Sequence, residues 1–328
     1  MRKPVRFLVL VPDGAADYPD PGRGDLTPLQ AARTPNMDAL AEAGVCGRAV
    51  TIPEELPAGS DVANFSLLGY DPCIYFTGRG PLEAASMGVK LGEGEVAFRC
   101  NLVTISMGRL EDYSAGHLST EEARSLIASL QERLGSDGVS FHGGVGYRHL
   151  LVLRGDEFLE TSCLPPHDVV GRPLEEIFPT GRGAEFLRDL MERAGEVLET
   201  HPVNEERRRA GLRPANGIWP WGQGRPPCLP SLGERHGLSG AVITAVDLIK
   251  GLGIHAGMEV VEVPGATGYY DTDYRAKGVY AARCLEDKDL VFVHVEAPDE
   301  AGHEGDWEEK VLALERIDSL VLGEILER

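Results

Sequence analysis

The chain has 328 residues and carries 32 Lys plus Arg against 52 Asp plus Glu, a formal net charge of −20. This acidic balance, without a clustered basic segment, excludes the electrostatic footprint of a nucleic-acid-binding protein. Hydrophobic residues make up 42% and charged residues 26%, a composition that excludes disorder and favours a globular protein of about two domains.

The amino terminus and the cysteines bear on the compartment. The apolar run Phe7–Val11 is too short for the apolar region of a secretion signal. No stretch approaches the ~20 apolar residues that cross a bilayer. The six cysteines are scattered without a short pairing, which favours reduced thiols over disulfides or a zinc site. We therefore expect a cytoplasmic protein with no membrane partner.

Strand-like and helix-like patterns alternate along the chain. Apolar runs predict strands at 7–11, 45–52, 97–105, 147–153, 260–263 and 290–295. Helical periodicity predicts helices at 34–44, 120–134, 184–198, 241–252, 273–284 and, capped by Asp306, 306–326. This alternation predicts an α/β fold with a mostly parallel sheet flanked by helices.

The middle of the chain differs from the rest. From about Phe98 to Gly183 strand-like runs dominate, helix signals are fewer, and His and Arg are prominent. We interpret 98–183 as a smaller inserted α+β domain, and 1–97 with 184–328 as the core domain.

The dipeptide Asp13-Gly14 directly follows the first predicted strand. Open α/β sheets bind ligands outside the carboxyl ends of their strands, and a carboxylate there can bind a divalent metal. Asp-Gly is also a common turn dipeptide, so a simple turn is the alternative.

A serine follows glycine in the segment Pro57-Ala58-Gly59-Ser60-Asp61. Backbone amides around a tight loop suit a nucleophile or an anion site, which makes Ser60 a candidate. The alternative is that Ser60 or Asp61 caps a short helix over 62–68.

An acidic segment, APDEAGHEGDWEE, follows the last predicted strand. Asp299 and His303 are four residues apart, so in a helical turn they share a face and can bind one metal ion. A solvated acidic loop before a helix is the alternative. Neither a P-loop nor a dinucleotide-binding fingerprint occurs, so we expect no nucleotide cofactor.

Taken in order, several segments resemble the cofactor-independent phosphoglycerate mutases of the archaeal type, which belong to the alkaline phosphatase superfamily. The segments are VPDGAADYP, TPLQAARTPNMDALAEAG, LPAGSDVANFSLLGYDP, FTGRGPLEAASMGV, VAFRCNLVTI, RPANGIWPWGQG, VPGATGYYDTDY and VHVEAPDEAGHEGD. They extend over essentially the whole chain. The resemblance implies an alkaline-phosphatase-like fold and the interconversion of 2- and 3-phosphoglycerate through a phosphoserine.

The resemblance also implies a centre with two divalent ions, Mn, Mg, Zn or Co. Ser60 matches the serine that accepts the phosphoryl group, and Asp13 matches a ligand of the metal that also contacts this serine. Asp299 and His303 match ligands of the other metal. Two ions can stabilise the attacking and leaving oxygens of a phosphoryl transfer.

Arginines of the inserted domain would bind the phosphate and carboxylate of the substrate bidentately. The candidates are Arg99, Arg148 and Arg182. Their local positive charge would reconcile an anionic substrate with the net charge of −20. The expected partner is a small phosphorylated metabolite, and a homo-oligomer is left open.

The carboxyl end departs from the family pattern. There, a further strand with an Asp-His pair follows the helix 306–326, and another His comes later, whereas this sequence ends at Arg328. On this reading each metal site keeps only some of its ligands, and the sheet has an open edge. The alternatives are a phosphotransferase or phosphatase acting on homoserine or another small metabolite, a truncated chain that is inactive or only binds ligand, and a fragment of a longer protein.

Overall fold

The computed structural model describes residues 5–328. The strands are β1 (Phe7–Pro12), β2 (Glu95–Ser106), β3 (Arg109–Asp112), β4 (Val139–Val145), β5 (Arg148–Arg154), β6 (Thr161–Ser162), β7 (Thr180–Gly181), β8 (Gly217–Gly224), β9 (Gly240–Ile243), β10 (Glu259–Val260) and β11 (Leu290–Val295). The helices are α1 (Pro28–Ala31), α2 (Pro35–Ala43), α3 (Ser60–Leu67), α4 (Pro72–Tyr75), α5 (Gly80–Ser86), α6 (Thr120–Leu134), α7 (Leu174–Ile177), α8 (Ala184–Glu199), α9 (Pro202–Arg209), α10 (Leu232–His236), α11 (Asp247–His255), α12 (Tyr274–Asp287), α13 (Ala297–Glu304), α14 (Trp307–Arg316) and α15 (Gly323–Leu326). A π-helical segment, Ile317–Leu322, joins α14 to α15. Within residues 5–328, no helix is both long and apolar enough to cross a membrane.

The chain folds as two compact units. The first unit combines Met1–Phe76 with Cys228–Arg328, and the second is the continuous segment Thr77–Pro227. The predicted core domain starts at residue 1, and its residues 1–4 lie outside the part of the chain that the structure describes.

A four-stranded parallel sheet in the order β1-β11-β9-β10 forms the centre of the first unit. β1 and β11 pair in register, from Phe7 opposite Leu290 to Pro12 opposite Val295. These strands are runs of apolar residues because helices cover a parallel sheet. Apolar side chains of β9 and β11 pack in one core with α12, α14 and the π-helical segment. The predicted α/β fold with a parallel sheet is confirmed.

An antiparallel sheet forms the centre of the second unit. Its order is β3-β2-β5-β4, and β8 also pairs with β2. Side chains alternate along β2, so that Phe98 and Cys100 lie on one face, in a core with α6 and α8. On the other face Ala97 packs with Ala84 of α5, and Arg99 shares this face by alternation.

The boundaries of the second unit differ from the predicted insertion at 98–183. β8 pairs with β2, and α8 packs into the same core, so both belong with the insertion rather than with the core domain. α5 belongs there too, because it packs on the other face of β2. Local composition could not locate these boundaries, since the partners of β2 come from distant parts of the sequence.

Most predicted elements are confirmed, but no strand forms over 45–52. Val45 and Val50 are exposed, and within residues 5–328 the segment pairs with no strand. The composition of the segment predicted a strand, but a strand is stable only with a partner and a covered face.

Two other elements differ in extent from their predictions. Residues 241–243, expected to begin a helix, belong to β9, and the helix α11 begins only at Asp247. A short buried apolar run fits either a strand or a helix, and the pairing of β9 with β11 decides for the strand. The strand expected at 260–263 is reduced to Glu259–Val260.

We expect the second unit to fold in isolation, because its sheet and core are formed within Thr77–Pro227. A fragment of residues 77–227 should unfold in one cooperative transition, measured by far-UV circular dichroism, and should give dispersed amide NMR signals. A matched fragment of residues 98–183 lacks α5, α8 and β8 and should stay unfolded. Cooperative folding of the shorter fragment alone would contradict this division of the chain.

Candidate active site

Two neighbouring strands of the first unit end at the same edge of the sheet. β1 and β11 stay in register to their last residues, Pro12 and Val295. Asp13 and Glu296 therefore leave the sheet side by side, and the Asp13 amide donates a hydrogen bond of 3.0 Å to the Val295 carbonyl. This is the carboxyl edge, where open α/β sheets bind ligands.

His294, which the sequence patterns did not indicate, connects the two acidic residues at this edge. It is fully buried. Its Nε2 lies 2.9 Å from Oδ2 of Asp13 and 3.5 Å from Oε2 of Glu296. Its Nδ1 lies 3.4 Å from the Thr244 hydroxyl. One ligand atom from each of Asp13, His294 and Glu296 lies within 4.8 Å of the other two.

The surroundings keep Asp13 ionised. Burial raises the pKa of this carboxyl group, but the hydrogen bond and electrostatic attraction of His294 oppose burial, together with hydrogen bonds from Ser60 and Gly14. The balance holds the pKa of Asp13 below its ordinary value. An ionised carboxylate is the form that binds a divalent cation.

A close backbone approach brings a further carboxylate to Asp13. Gly14 has a φ of +68°, and a Cβ at this position would lie 2.4 Å from Cα of Asp299. Both conditions require glycine. Asp299 lies in the first turn of α13, and burial, followed by the negative charge of Asp13, raises the pKa of Asp299. The Asp13-Gly14 turn therefore has a specific packing role.

Asp299 and His303 share one face of α13, as their spacing predicts. Oδ2 of Asp299 is 3.2 Å from Nε2 of His303. The segment is a helix rather than the irregular acidic loop considered as the alternative. The His303 side chain is 76% exposed, so the pair is open to solvent on one side.

Ser60 is the first residue of α3 and is half-buried. It lies close enough to the Asp13 carboxylate to lower the pKa of that group. The alternative that Ser60 or Asp61 caps the helix is wrong, because Gly59 is the N-cap residue and no side chain caps α3. The Ser60 hydroxyl is therefore engaged with Asp13 rather than with the helix end.

Lys277 of α12 is a further buried group near the site that the sequence patterns did not indicate. It is 1% exposed, and its Nζ donates a hydrogen bond of 3.2 Å to the His294 carbonyl. Burial lowers the pKa of Lys277 to about 8, and the charge of Glu296 opposes this effect. Lys277 thus holds the backbone of β11 at His294, one residue before the strand ends.

The donors at this edge fit divalent cations. Carboxylate oxygens and imidazole nitrogens are ligands of Mg, Mn, Zn and related ions. Asp13, His294 and Glu296 offer three such atoms within 4.8 Å of one another. Asp299 and His303 offer two more on α13. The residues present therefore fit the kind of centre that the resemblance implies.

The second unit carries a cluster of arginines on the α5 face of its sheet. Oε1 of Glu83 accepts hydrogen bonds from Arg99 Nη1 at 2.7 Å and from Arg79 Nε at 3.2 Å. Both guanidinium groups also lie over the Trp221 ring. Arg148 is close enough for its charge to act on Arg99.

Positive charge exceeds negative charge in this cluster. Within residues 5–328, Glu83 is the only carboxylate that is bonded to Arg79, Arg99 or Arg148. Burial lowers the pKa of Arg99; the Glu83 charge opposes this effect, and the charges of Arg79 and Arg148 add to it. Guanidinium groups in excess over carboxylates suit the binding of phosphate or carboxylate anions.

The third candidate arginine pairs with a different carboxylate. Arg182 follows β7, has a side chain that is 67% exposed and pairs with Glu160 at 3.0 Å. The structure thus groups Arg99 and Arg148 with Arg79, which sequence reasoning missed. A signal for Arg79 was present, because it lies four residues before Glu83 in the motif TGRGPLEA and the two form an i,i+4 pair.

Comparisons of the sequence agree on one family. A family model described as "2,3-bisphosphoglycerate-independent phosphoglycerate mutase" matches residues 41–204. A relative with the same description, from Methanosarcina barkeri, is 54% identical over 98% of this chain and 81% of its own length.

Solved structures agree on the fold. A protein from Pyrococcus horikoshii superposes with a TM-score of 0.82 and 33% identity, over 99% of this chain and 78% of that one. A structure described as the cofactor-independent phosphoglycerate mutase of Thermoplasma acidophilum gives a TM-score of 0.60 and 32% identity, over 97% of this chain and 82% of that one.

The substitution Gly14→Ala tests the approach of β1 to α13. Its Cβ would overlap the Asp299 backbone, so we expect the free energy of unfolding to fall by about 3 kcal/mol or more. The matched control is Gly24→Ala, at a φ of +74° with no atom within 4 Å of the new Cβ. The control should lose only about 1–2 kcal/mol from the left-handed backbone. Equal losses in urea denaturation would contradict the packing role of Gly14.

Proposed function

This chain belongs to the 2,3-bisphosphoglycerate-independent phosphoglycerate mutases, and on that basis we propose that it interconverts 2- and 3-phosphoglycerate through phosphorylated Ser60. It is an isomerase that acts on a small phosphorylated substrate. The observation that carries the role of Ser60 is its position beside Asp13 at the carboxyl edge of the parallel sheet, close enough to lower the pKa of that carboxylate.

The reaction is two phosphoryl transfers that balance. In the first, a bond forms between Ser60 Oγ and phosphorus, the bond from phosphorus to the substrate oxygen breaks, and the serine proton passes to that released oxygen, which becomes a glycerate hydroxyl. In the second, the phosphoryl group moves to the other glycerate hydroxyl and Ser60 regains its proton. Covalent catalysis of this kind splits one difficult transfer into two easier ones.

Asp13 orients the Ser60 hydroxyl in this proposal. Its pKa is held low, so the carboxylate is a weak base and a good hydrogen-bond acceptor. His294 in turn holds Asp13 through the contact of 2.9 Å. A serine hydroxyl with a fixed direction is better placed for attack on phosphorus than a freely rotating one.

We propose that Asp13 and Ser60 bind one divalent ion, and Asp299 and His303 another. His294 and Glu296 lie beside Asp13 and are further candidate ligands. When bound, such ions stabilise an ionised serine oxygen and offset the negative charge of the phosphoryl group. Mn, Mg, Zn and Co share these ligand types, so the donor set does not select among them.

Arg99 and Arg148 are the residues that we propose for the anionic groups of the substrate, with Arg79 added. The support is the excess of guanidinium groups over Glu83, the one carboxylate bonded to them in the described chain. Charge-assisted hydrogen bonds to phosphate and carboxylate are strong and directional. A cytoplasmic location agrees with a glycolytic substrate and stays a prediction, as does a homo-oligomeric state.

Replacing the proposed nucleophile should abolish turnover. We expect Ser60→Ala to lower kcat by about 10³-fold or more in an enolase-coupled assay with added manganese, because no oxygen remains to accept the phosphoryl group. Acid-quenched wild-type protein should carry phosphate on Ser60 by mass spectrometry. The matched control is Ser66→Ala in the same helix, where only the hydrogen bond to the Thr51 carbonyl is lost. Normal turnover by Ser60→Ala would disprove the proposed intermediate.

Metal analysis tests the proposed centre without reference to activity. After dialysis against manganese, the protein should retain two ions, measured by inductively coupled plasma mass spectrometry, and chelation should lower its Tm. Asp13→Asn should lose an ion, because an amide is a weaker ligand than a carboxylate. Asp25→Asn, at an exposed aspartate, is the control and should bind as the wild type does. A wild-type chain that retains no ion would favour the non-catalytic, ligand-binding alternative.

The arginine cluster predicts a difference between two substitutions. Arg148→Ala should raise KM for phosphoglycerate by about 10- to 100-fold, because it removes charge-assisted hydrogen bonds to the substrate. Arg182→Ala should leave KM unchanged, since Arg182 is an exposed partner of Glu160. Steady-state kinetics of both variants provide the measurement. An equal rise in KM for the two variants would exclude the assignment.

A further inference from the structure

The second unit contains a groove that the proposed reaction does not use. Its volume is about 570 Å³, within the range of small-molecule sites. Its apolar wall is formed by Ile105 at the end of β2, Leu174 of α7, the adjacent Phe178, and Met191 of α8. None of these residues belongs to the arginine cluster.

Gly195 lines the groove from the interior of α8. Glycine is a weaker helix former than alanine, so a glycine at this position needs another reason. Packing does not supply one, because a Cβ at Gly195 would have its nearest contact with the Asn216 carbonyl oxygen, at 3.6 Å, an ordinary van der Waals distance. The missing side chain instead leaves room in the wall of the groove.

Two carboxylates lie at the rim, one helical turn apart. Glu192 and Glu196 both line the groove and are exposed. Like charges at this spacing destabilise a helix. Within residues 5–328, neither carboxylate forms a salt bridge or a side-chain hydrogen bond. The rim therefore holds two carboxylates that have no ion-pair partner in the described chain.

The other charged groups of the lining are Glu199 and Arg188. Glu199 pairs with Arg208. The Arg188 guanidinium donates two hydrogen bonds, of 2.9 and 2.6 Å, to the Pro179 carbonyl. A neutral carbonyl does not cancel the Arg188 charge, but Glu192 and Glu196 outnumber Arg188, so the unpaired charge of the lining is net negative.

We propose that this groove binds a small organic cation, a protonated amine on an apolar body. The apolar body packs on Phe178 and Met191, and the ammonium group lies between Glu192 and Glu196. The phosphoglycerate substrate is an anion and is repelled by the same carboxylates, so the groove is a second ligand site and not a substrate site. A groove of about 570 Å³ matches a small molecule in size and is too small for a protein surface.

Three probes with one apolar body test the charge preference. They are 4-phenylbutylammonium, 4-phenylbutan-1-ol and 4-phenylbutanoate, and their affinities for the full chain are measured by titration calorimetry. We expect the cation to bind about tenfold more tightly than the alcohol, because two exposed ion pairs contribute only a small binding free energy. The carboxylate should bind most weakly. Equal affinities, tighter binding of the carboxylate, or no binding of the cation would overturn the proposal.

Variants locate the site. Glu192→Gln combined with Glu196→Gln should reduce the affinity for the cation to that for the alcohol and leave the alcohol unchanged. The control Glu132→Gln, at an exposed carboxylate of α6, should change neither affinity. A cation preference that survives the double substitution would place binding elsewhere and overturn the proposal.

Filling the groove should block every probe. Gly195→Leu should abolish binding of all three compounds, with circular dichroism showing that α8 still forms. Should this variant fail to fold, Gly195→Ala serves instead, because its Cβ has room, and it should weaken binding without loss of Tm. If sedimentation shows a dimer that Gly195→Leu dissociates and the cation does not bind, the groove is an interface between copies and the proposal is wrong.

Discussion

The in-register parallel pairing of β1 with β11 is the constraint on which the candidate site depends. This register places Asp13 beside Glu296 and brings His294 within 2.9 Å of Asp13. A slip of one residue would turn the His294 side chain to the other face of the sheet. The Gly14 backbone then fixes how closely Asp299 approaches. Chain segments that are far apart in sequence are thus positioned by backbone geometry, before any ligand contributes.

Each unit concentrates charge of one sign: the first unit gathers carboxylates and the second gathers arginines. In both units neighbouring groups stabilise the buried charge. In the first unit, carboxylates converge where His294 and the hydroxyl of Ser60 hold Asp13 ionised. In the second unit, Glu83 supports the buried Arg99, so that a guanidinium group tolerates burial. A chain with a net charge of −20 can therefore still hold a local excess of positive charge.

The fold could be predicted from the sequence wherever a periodic pattern agreed with later packing. The buried run of β11 and the amphipathic helix α6 were predicted with correct bounds. The segment 45–52 was not, because its valines suggested a strand for which the described chain provides no partner. The extent of the second unit was also missed, since β8 joins β2 through long-range hydrogen bonds that leave no local pattern.

The sequence by itself determined the family, the parallel α/β architecture and the motifs that contain Asp13, Ser60, Asp299 and His303. Short motifs suffice for these inferences because each motif follows a strand or opens a helix. Only the tertiary structure decided that His294 and Glu296 join Asp13, that Arg79 joins the arginine cluster, and that Arg182 pairs with Glu160. The physical reason is that these residues meet through strand register and helix packing between distant segments. The spacing of residues along the chain specifies neither the register nor the packing.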